Sequence, residues 1–134
     1  MKRVVLDAGA ILAFLYNEPG RNVVEELLLD ESAAVFVSSV NLCEVVTRLV
    51  ADGVLPEEIR ENLELFTGYV VDFGVTAAIR TGELFPVTRV AGLSLGDRAC
   101  LALAVEVGAT AWTTDRAWKR LKLDVPIELI RHGR

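Results

Sequence analysis

Histidine and cysteine are scarce in this chain, with one and two among 134 residues, and the scarcity removes several kinds of catalysis. His132 lies in the terminal Arg131-His132-Gly133-Arg134, so a Ser-His-Asp or Cys-His system would have to bring the chain's tail into the site. Cys43 and Cys100 sit inside apolar, helix-like stretches, Leu42-Cys43-Glu44-Val45 and Ala99-Cys100-Leu101-Ala102. Both read as buried free thiols, not as a disulfide or a metal pair. Gly92 and Gly96 form no phosphate loop, because no Gly-Lys-Ser/Thr follows them. Positive charge is also short. A net charge of −5 and a pI near 4.9 argue against holding nucleic acid through a broad basic face. They leave a nuclease open, because bound metal would cancel part of the negative charge. No apolar stretch is long and charge-free enough for a signal peptide or a membrane helix, so the expected location is cytoplasmic, with no membrane partner.

What is present is a compact, apolar chain. Its 52% hydrophobic content suits one domain over 1–134 with a real core. Short runs rich in β-branched or aromatic residues fall at Arg3 to Leu6, Ala34 to Val37, Tyr69 to Val71, Thr110 to Thr113 and Ile127 to Ile130. Between them, helical spacing of apolar residues marks Ala10 to Tyr16, Arg21 to Leu29, Val40 to Ala51, Pro56 to Phe66, Thr76 to Leu84 and Leu95 to Val107. Glu18-Pro19-Gly20, Asp52-Gly53 and Gly108 punctuate the elements. Alternation of this kind predicts βαβ units and an α/β fold around a mainly parallel sheet of four or five strands.

Four acids, Asp7, Glu44, Asp97 and Asp115, each fall where a predicted strand hands over to a helix. Ligands of open parallel sheets bind outside the strands' carboxyl ends, so acids at several such exits converge. Unpaired carboxylates about 5 Å apart repel by roughly 3 kcal/mol per pair at an effective dielectric near 20. Such a cluster wants a hard cation, Mg²⁺ or Mn²⁺. Helix capping competes with this reading at each acid. Ser94 with Asp97 has the form of a capping box, Asn41 is a candidate N-cap with Glu44 in the first turn, and Asp115 is a candidate N-cap after Thr113-Thr114. Asp7 resists that explanation best, since the small residues Ala8-Gly9-Ala10 leave it approachable. Asp72 also ends a strand and is assigned to a cap or turn. Glu18, Asp30, Glu31 and Asp52 are read as solvated turn residues.

Val5-Leu6-Asp7-Ala8-Gly9-Ala10, Ser38-Ser39-Val40-Asn41-Leu42-Cys43-Glu44-Val45, Leu93 to Ala102 and Trp112-Thr113-Thr114-Asp115-Arg116 together resemble the PIN-domain ribonucleases, most closely the VapC-type toxins of toxin–antitoxin pairs. The resemblance spans nearly the whole chain. It implies a three-layer α/β/α fold with an acidic pocket at the carboxyl edge of the sheet, binding one or two Mg²⁺ or Mn²⁺ ions. The family's four acids map onto Asp7, Glu44, Asp97 and Asp115, and its hydroxyl onto Thr113. Asp7 and Asp97 are assigned to the principal metal, Asp115 to a second metal or a bridging water, and Glu44 to orienting water or acting as base. The implied reaction hydrolyses RNA in line, leaving a 5′-phosphate and a 3′-hydroxyl. Members often carry Ser or Thr two residues after the first acid. This chain has Gly9 there, so any hydroxyl contact must come from water or from elsewhere in the protein.

Arg98, Arg116 and Lys119 start near the expected pocket and are candidate RNA contacts, set against an ordinary surface or salt-bridge role. Trp112 and Trp118 are candidates for stacking on bases, with core packing the better expectation for Trp112. Mean hydropathy of +0.40 and the amphipathic stretch from Val54 to Tyr69 suggest a further apolar surface for a partner. The resemblance implies a homodimer, and a cognate VapB-like antitoxin whose tail lies across a helical groove and places a basic side chain near the acids. A small upstream gene encoding a DNA-binding fold would support that pairing. Two other classes compete: a catalytically silent PIN-like scaffold or RNA-binding module whose acids serve as caps, and a receiver-like phosphotransfer domain. The second lacks an acid adjacent to Asp7 and a suitably placed lysine.

Overall fold

The computed structural model describes residues 2–131, so His132 lies outside the described residues. Five strands, β1 (Arg3–Leu6), β2 (Ala34–Ser38), β3 (Val70–Val71), β4 (Thr110–Thr113) and β5 (Ile127–Leu129), form one sheet in the order β3-β2-β1-β4-β5. Every pairing is parallel. Seven α-helices connect them among the described residues: α1 (Ala8–Leu15), α2 (Arg21–Leu29), α3 (Ser39–Ala51), α4 (Pro56–Thr67), α5 (Val75–Glu83), α6 (Phe85–Thr88) and α7 (Leu95–Val107). Two 3₁₀ turns, Arg89–Ala91 and Arg116–Arg120, complete the chain. The three-layer α/β/α architecture expected from the sequence is present.

Side-chain alternation along the strands divides the core into two. Val4 and Leu6 of β1, Val35 and Val37 of β2 and Trp112 of β4 face a cluster built with Ile11 and Phe14 of α1, Val24 of α2, Val45 and Leu49 of α3, and Phe66 of α4. Val5 and Ala111 point the other way, onto Cys100, Leu101 and Ala104 of α7 and Trp118. This period-two pattern with both faces covered explains why the strands read as continuous apolar runs. The strand order reverses beside β1, where the chain crosses from β3 to β4, and that is the switch point at which open sheets hold ligands.

Several local expectations change. β2 passes into α3 without a loop, and Ser38, whose Oγ accepts from Val40 N at 3.2 Å, is the N-cap. Asn41 therefore lies inside the first turn, not at the cap, and Glu44 lies in the second. Cys43 projects from the outer side of α3 and is exposed, while Cys100 is buried. Gly74, not Asp72, occupies the N-cap position of α5, which leaves Asp72 in an exposed turn. Phe85 to Ala91, outside the helical windows of the sequence, forms α6 and a 3₁₀ turn. Asp97 follows that turn and not a strand; it reaches the carboxyl edge because α7 runs back along the sheet to feed β4 through Gly108. α4 buries Ile59, Leu63 and Phe66 and leaves Leu65 exposed. A larger apolar group, Val75, Ile79, Phe85, Val87 and Val90, is exposed on α5, α6 and the turn after them. No helix among the described residues is long and apolar enough to cross a membrane.

Candidate active site

Asp7 is the first residue past β1 and is only 5% exposed. Its backbone N–H donates to Trp112 O of the neighbouring strand at 3.1 Å, and its Oδ1 accepts from Ala10 N at 2.7 Å, capping α1. Asp115 stands just beyond β4. Its N–H donates to Thr113 Oγ1 at 3.0 Å, while its Oδ1 accepts from Ala117 N at 2.9 Å and starts the turn at Arg116. Asp97 forms the expected capping box: its N–H donates to Ser94 Oγ at 3.2 Å and its Oδ2 accepts from Ser94 N at 3.0 Å. Each aspartate uses one oxygen as a cap and keeps the other outside it, so capping and ligand binding need not exclude one another.

Glu44 arrives from α3 and is held by Asn41. The buried Asn41 amide donates through Nδ2 both to Glu44 Oε1, at 2.9 Å, and to Gly96 O, at 3.0 Å. One side chain thus ties α3, the glutamate and the first turn of α7 together. Asn41 Oδ1 is buried with no partner among the described residues. Gly96 is buried against the Glu44 carboxylate, which fills the space a Cβ would take. The sequence marked Asn41 only as a cap and Gly96 only as a failed phosphate loop. Their roles depend on contacts across 55 residues of chain, which no local pattern displays.

Electrostatics make the four acids one group. Burial pushes the Asp7 carboxyl up to about 7, against hydrogen bonding from Thr113 and Ala10, and the charges of Asp97 and Glu44 add to the rise. Burial likewise raises Glu44, with the Asp97 charge adding to it. Asp97 is raised by burial and by Asp115. Asp97 is therefore the node that couples to the other three. The ion pairs among the described residues, Arg48 with Asp52 and Arg80 with Glu106, involve none of them. The donor set is wholly oxygen and carries unneutralised negative charge, which suits a hard divalent cation. No three His, Cys, Asp or Glu side chains among the described residues converge into a preformed cage. A cation that keeps several waters and takes one or two carboxylates directly matches that looser arrangement, as Mg²⁺ does.

The basic candidates separate. Arg98 turns from the acids: its guanidinium lies 5.5 Å from the centre of the Phe85 ring and its Nη1 donates to Thr81 O at 3.1 Å. Lys119 Nζ donates to Ile127 O at 3.2 Å, anchoring its turn to β5. Arg116 is exposed beside Asp115. Trp118 is fully buried and has no face for a base, and Trp112 packs in the core as expected. Beside Glu44, Val40, Cys43, Thr47, Phe73 and Leu95 line an open, largely apolar groove of about 780 Å³ between α3 and the start of α7.

A doubly wound parallel sheet with four electrostatically linked carboxylates near its switch point defines the class: a three-layer α/β domain with an acidic site at the carboxyl edge of its sheet. The PIN domain family model matches residues 4–123, and the chain belongs to that family. Solved structures share its fold. VapBC2 from Rickettsia felis bound to a promoter DNA fragment is 22% identical with a TM-score of 0.67, covering 94% of this chain and 97% of the other. DNA-bound VapBC from Salmonella typhimurium is 23% identical at 0.65, covering 96% and 98%. A toxin–antitoxin complex from Klebsiella pneumoniae is 15% identical at 0.66, covering 87% and 91%. No curated protein matches the sequence.

Proposed function

We propose that the chain is a Mg²⁺- or Mn²⁺-dependent endoribonuclease and the toxin of a two-component toxin–antitoxin pair. What supports this reading is that Asp97 raises the Asp7 and Glu44 carboxyls and is itself raised by Asp115, with no base paired to any of the four among the described residues. Asp7 and Asp97 would hold the principal cation, and Asp115 a second cation or a bridging water. A bound divalent cation acidifies water and neutralises charge gathering on the phosphate. Glu44, fixed by Asn41, orients the attacking water and receives its proton. Thr113 donates to Asp7, and Arg116 is placed to meet a phosphate of the RNA. Arg98, held against Phe85 and Thr81, stabilises the fold near the site.

The antitoxin is the second half of the proposal. Likeness to VapBC complexes and to the Klebsiella complex supports such a partner. The apolar groove that ends at Glu44 suits a peptide tail with apolar side chains and a terminal basic group to meet the acids. The exposed apolar residues of α5 and α6 support self-association as a homodimer, and a cytoplasmic location is consistent with an RNA substrate. Brief induction followed by sequencing of RNA 5′ ends tests the activity. Wild type, but neither Asp7→Ala nor Asp97→Asn, should generate new ends.

A silent scaffold has one observation in its favour, that Asp7, Asp97 and Asp115 all act as helix or turn caps. Titration with Mn²⁺ separates the two. Heat or thermal stabilisation on binding supports the nuclease, and none supports the scaffold.

A further inference from the structure

The atom nearest to the side-chain space of Gly9 is polar. A Cβ built on Gly9 would lie 2.5 Å from Thr114 Oγ1 and 3.4 Å from Asp7 Oδ1. The Thr114 hydroxyl therefore occupies the side-chain space of residue 9, at the start of α1 and beside the buried Asp7 carboxylate. Thr113 Oγ1 is already engaged by Asp115 N, whereas no hydrogen bond among the described residues involves Thr114 Oγ1. Thr114 is half-buried, directly between Thr113 and Asp115. Among the described residues this hydroxyl, flanking the same space as Asp7 Oδ1, is a donor with no acceptor.

We infer that Thr114 is a positioning residue of the cation site, its hydroxyl donating to a water of the cation held at Asp7, and that Gly9 is required to make room for it. The inference rests on the metal-dependent reading above. It also gives Gly9 a purpose: the hydroxyl that α1 does not carry at that position comes instead from the end of β4. Groups that orient ligands or water around a metal change its affinity about 10- to 100-fold when removed. The space is reciprocal, because the Cβ of Thr114 stands 3.7 Å from the Gly9 Cβ position, an ordinary contact. A serine at residue 9 therefore fits once Thr114 is reduced to alanine.

The test is Mn²⁺ titration of the intact chain by calorimetry, with melting temperature in EDTA recorded alongside. Thr114→Val and Gly9→Ala should each weaken Mn²⁺ binding about tenfold, the second by forcing the hydroxyl out of its space. Thr114→Val, which keeps the branched shape and removes a hydroxyl that makes no hydrogen bond among the described residues, should at the same time leave the metal-free melting temperature unchanged. A role confined to folding would move both readings the same way. Thr114→Ser should bind as wild type, and Gly9→Ser with Thr114→Ala should recover most of the affinity that Thr114→Ala loses. Wild-type affinity in Thr114→Val, or a double variant no better than Thr114→Ala, overturns the inference and leaves the metal site standing. Absence of Mn²⁺ binding by the wild type overturns both.

Discussion

The Glu44 carboxylate occupies the space above Gly96 where any other residue would carry its Cβ. Glycine costs a helix about 1 kcal/mol relative to alanine, so its place in the first turn of α7 runs against local propensity. Gly96→Ala should therefore separate fold from function. The obstructed group is the end of a flexible side chain, and it can swing away while the helix gains propensity. Melting temperature should stay level or rise, and RNA cleavage should fall about 10²- to 10⁴-fold, the usual span for losing a positioned acid–base group. Cleavage at the wild-type rate would remove Glu44 from the mechanism.

Asn41 holds that carboxylate from the other side. Asn41→Leu has similar volume but releases Glu44 Oε1 and leaves Gly96 O without its donor. Losing a hydrogen bond between buried groups costs about 0.5–1.5 kcal/mol. Chemical denaturation should show that loss, and activity should fall with it. A variant that loses stability but keeps full activity would make Asn41 a purely structural tie between α3 and α7.

Asp7 should give the fold a pH dependence opposite to that of an ordinary salt-bridged aspartate. An unfolded carboxyl titrates near 3.8 and the folded one near 7. Between those values the folded chain holds a proton that the unfolded chain has lost, so stability falls as pH rises through the window. The full effect above pH 7 is on the order of 4 kcal/mol. In EDTA the melting temperature should drop from pH 5 to pH 7.5. Asp7→Asn, which keeps a capping side chain, should remove most of that slope. Mn²⁺ should stabilise wild type more at pH 7.5 than at pH 5.5, because binding requires the deprotonated carboxylate. A flat metal-free profile would show that Asp7 is ionised throughout.

Legibility in the sequence followed the range of the interaction. Arg3–Leu6, Arg21–Leu29, Leu95–Val107 and Thr110–Thr113 coincide with their predicted windows, because short β-branched apolar runs and helical spacing are local patterns reinforced by burial. The Ser94–Asp97 capping box was legible for the same reason. Phe85 to Ala91 was not, since a short helix and a 3₁₀ turn present too few residues for a period. Placing Asp97 at a strand exit was incorrect in detail. The acid comes to the carboxyl edge through the antiparallel run of α7, which is a property of topology. Cys43 looked buried because its sequence neighbours are apolar, yet it lies on the outer side of α3. The contacts of Asn41 with Gly96 and of Thr114 with Gly9 join distant segments and had no local signal.

Two arginines adjacent to acids should behave differently. Arg116→Ala should weaken RNA binding and make its salt dependence shallower by about one unit of slope, with little change in stability. Arg98→Ala should leave the slope unchanged but lower stability by about 1–2 kcal/mol, through loss of the Phe85 contact and the bond to Thr81 O. Binding measured across a series of salt concentrations distinguishes them. A reduced slope for Arg98→Ala would show that its side chain leaves Phe85 when RNA is present.

Cys43 offers a direct measure of what fills the groove. Its thiol is exposed on the wall shared with Glu44, whereas Cys100 is buried in the core, where burial drives its pKa well up and suppresses the reactive thiolate. A thiol reagent should therefore modify one cysteine in the native protein and both in denaturant. A peptide tail lying in the groove and reaching toward the acids must cover Cys43 on its way. Co-expression with the product of an adjacent small gene encoding a DNA-binding fold, followed by purification of the complex, should abolish the native reaction. Separating the partner should restore it. A complex in which Cys43 reacts as fast as in the free chain would put the partner on another surface, and the exposed apolar residues of α5 and α6 would then be the next place to map it.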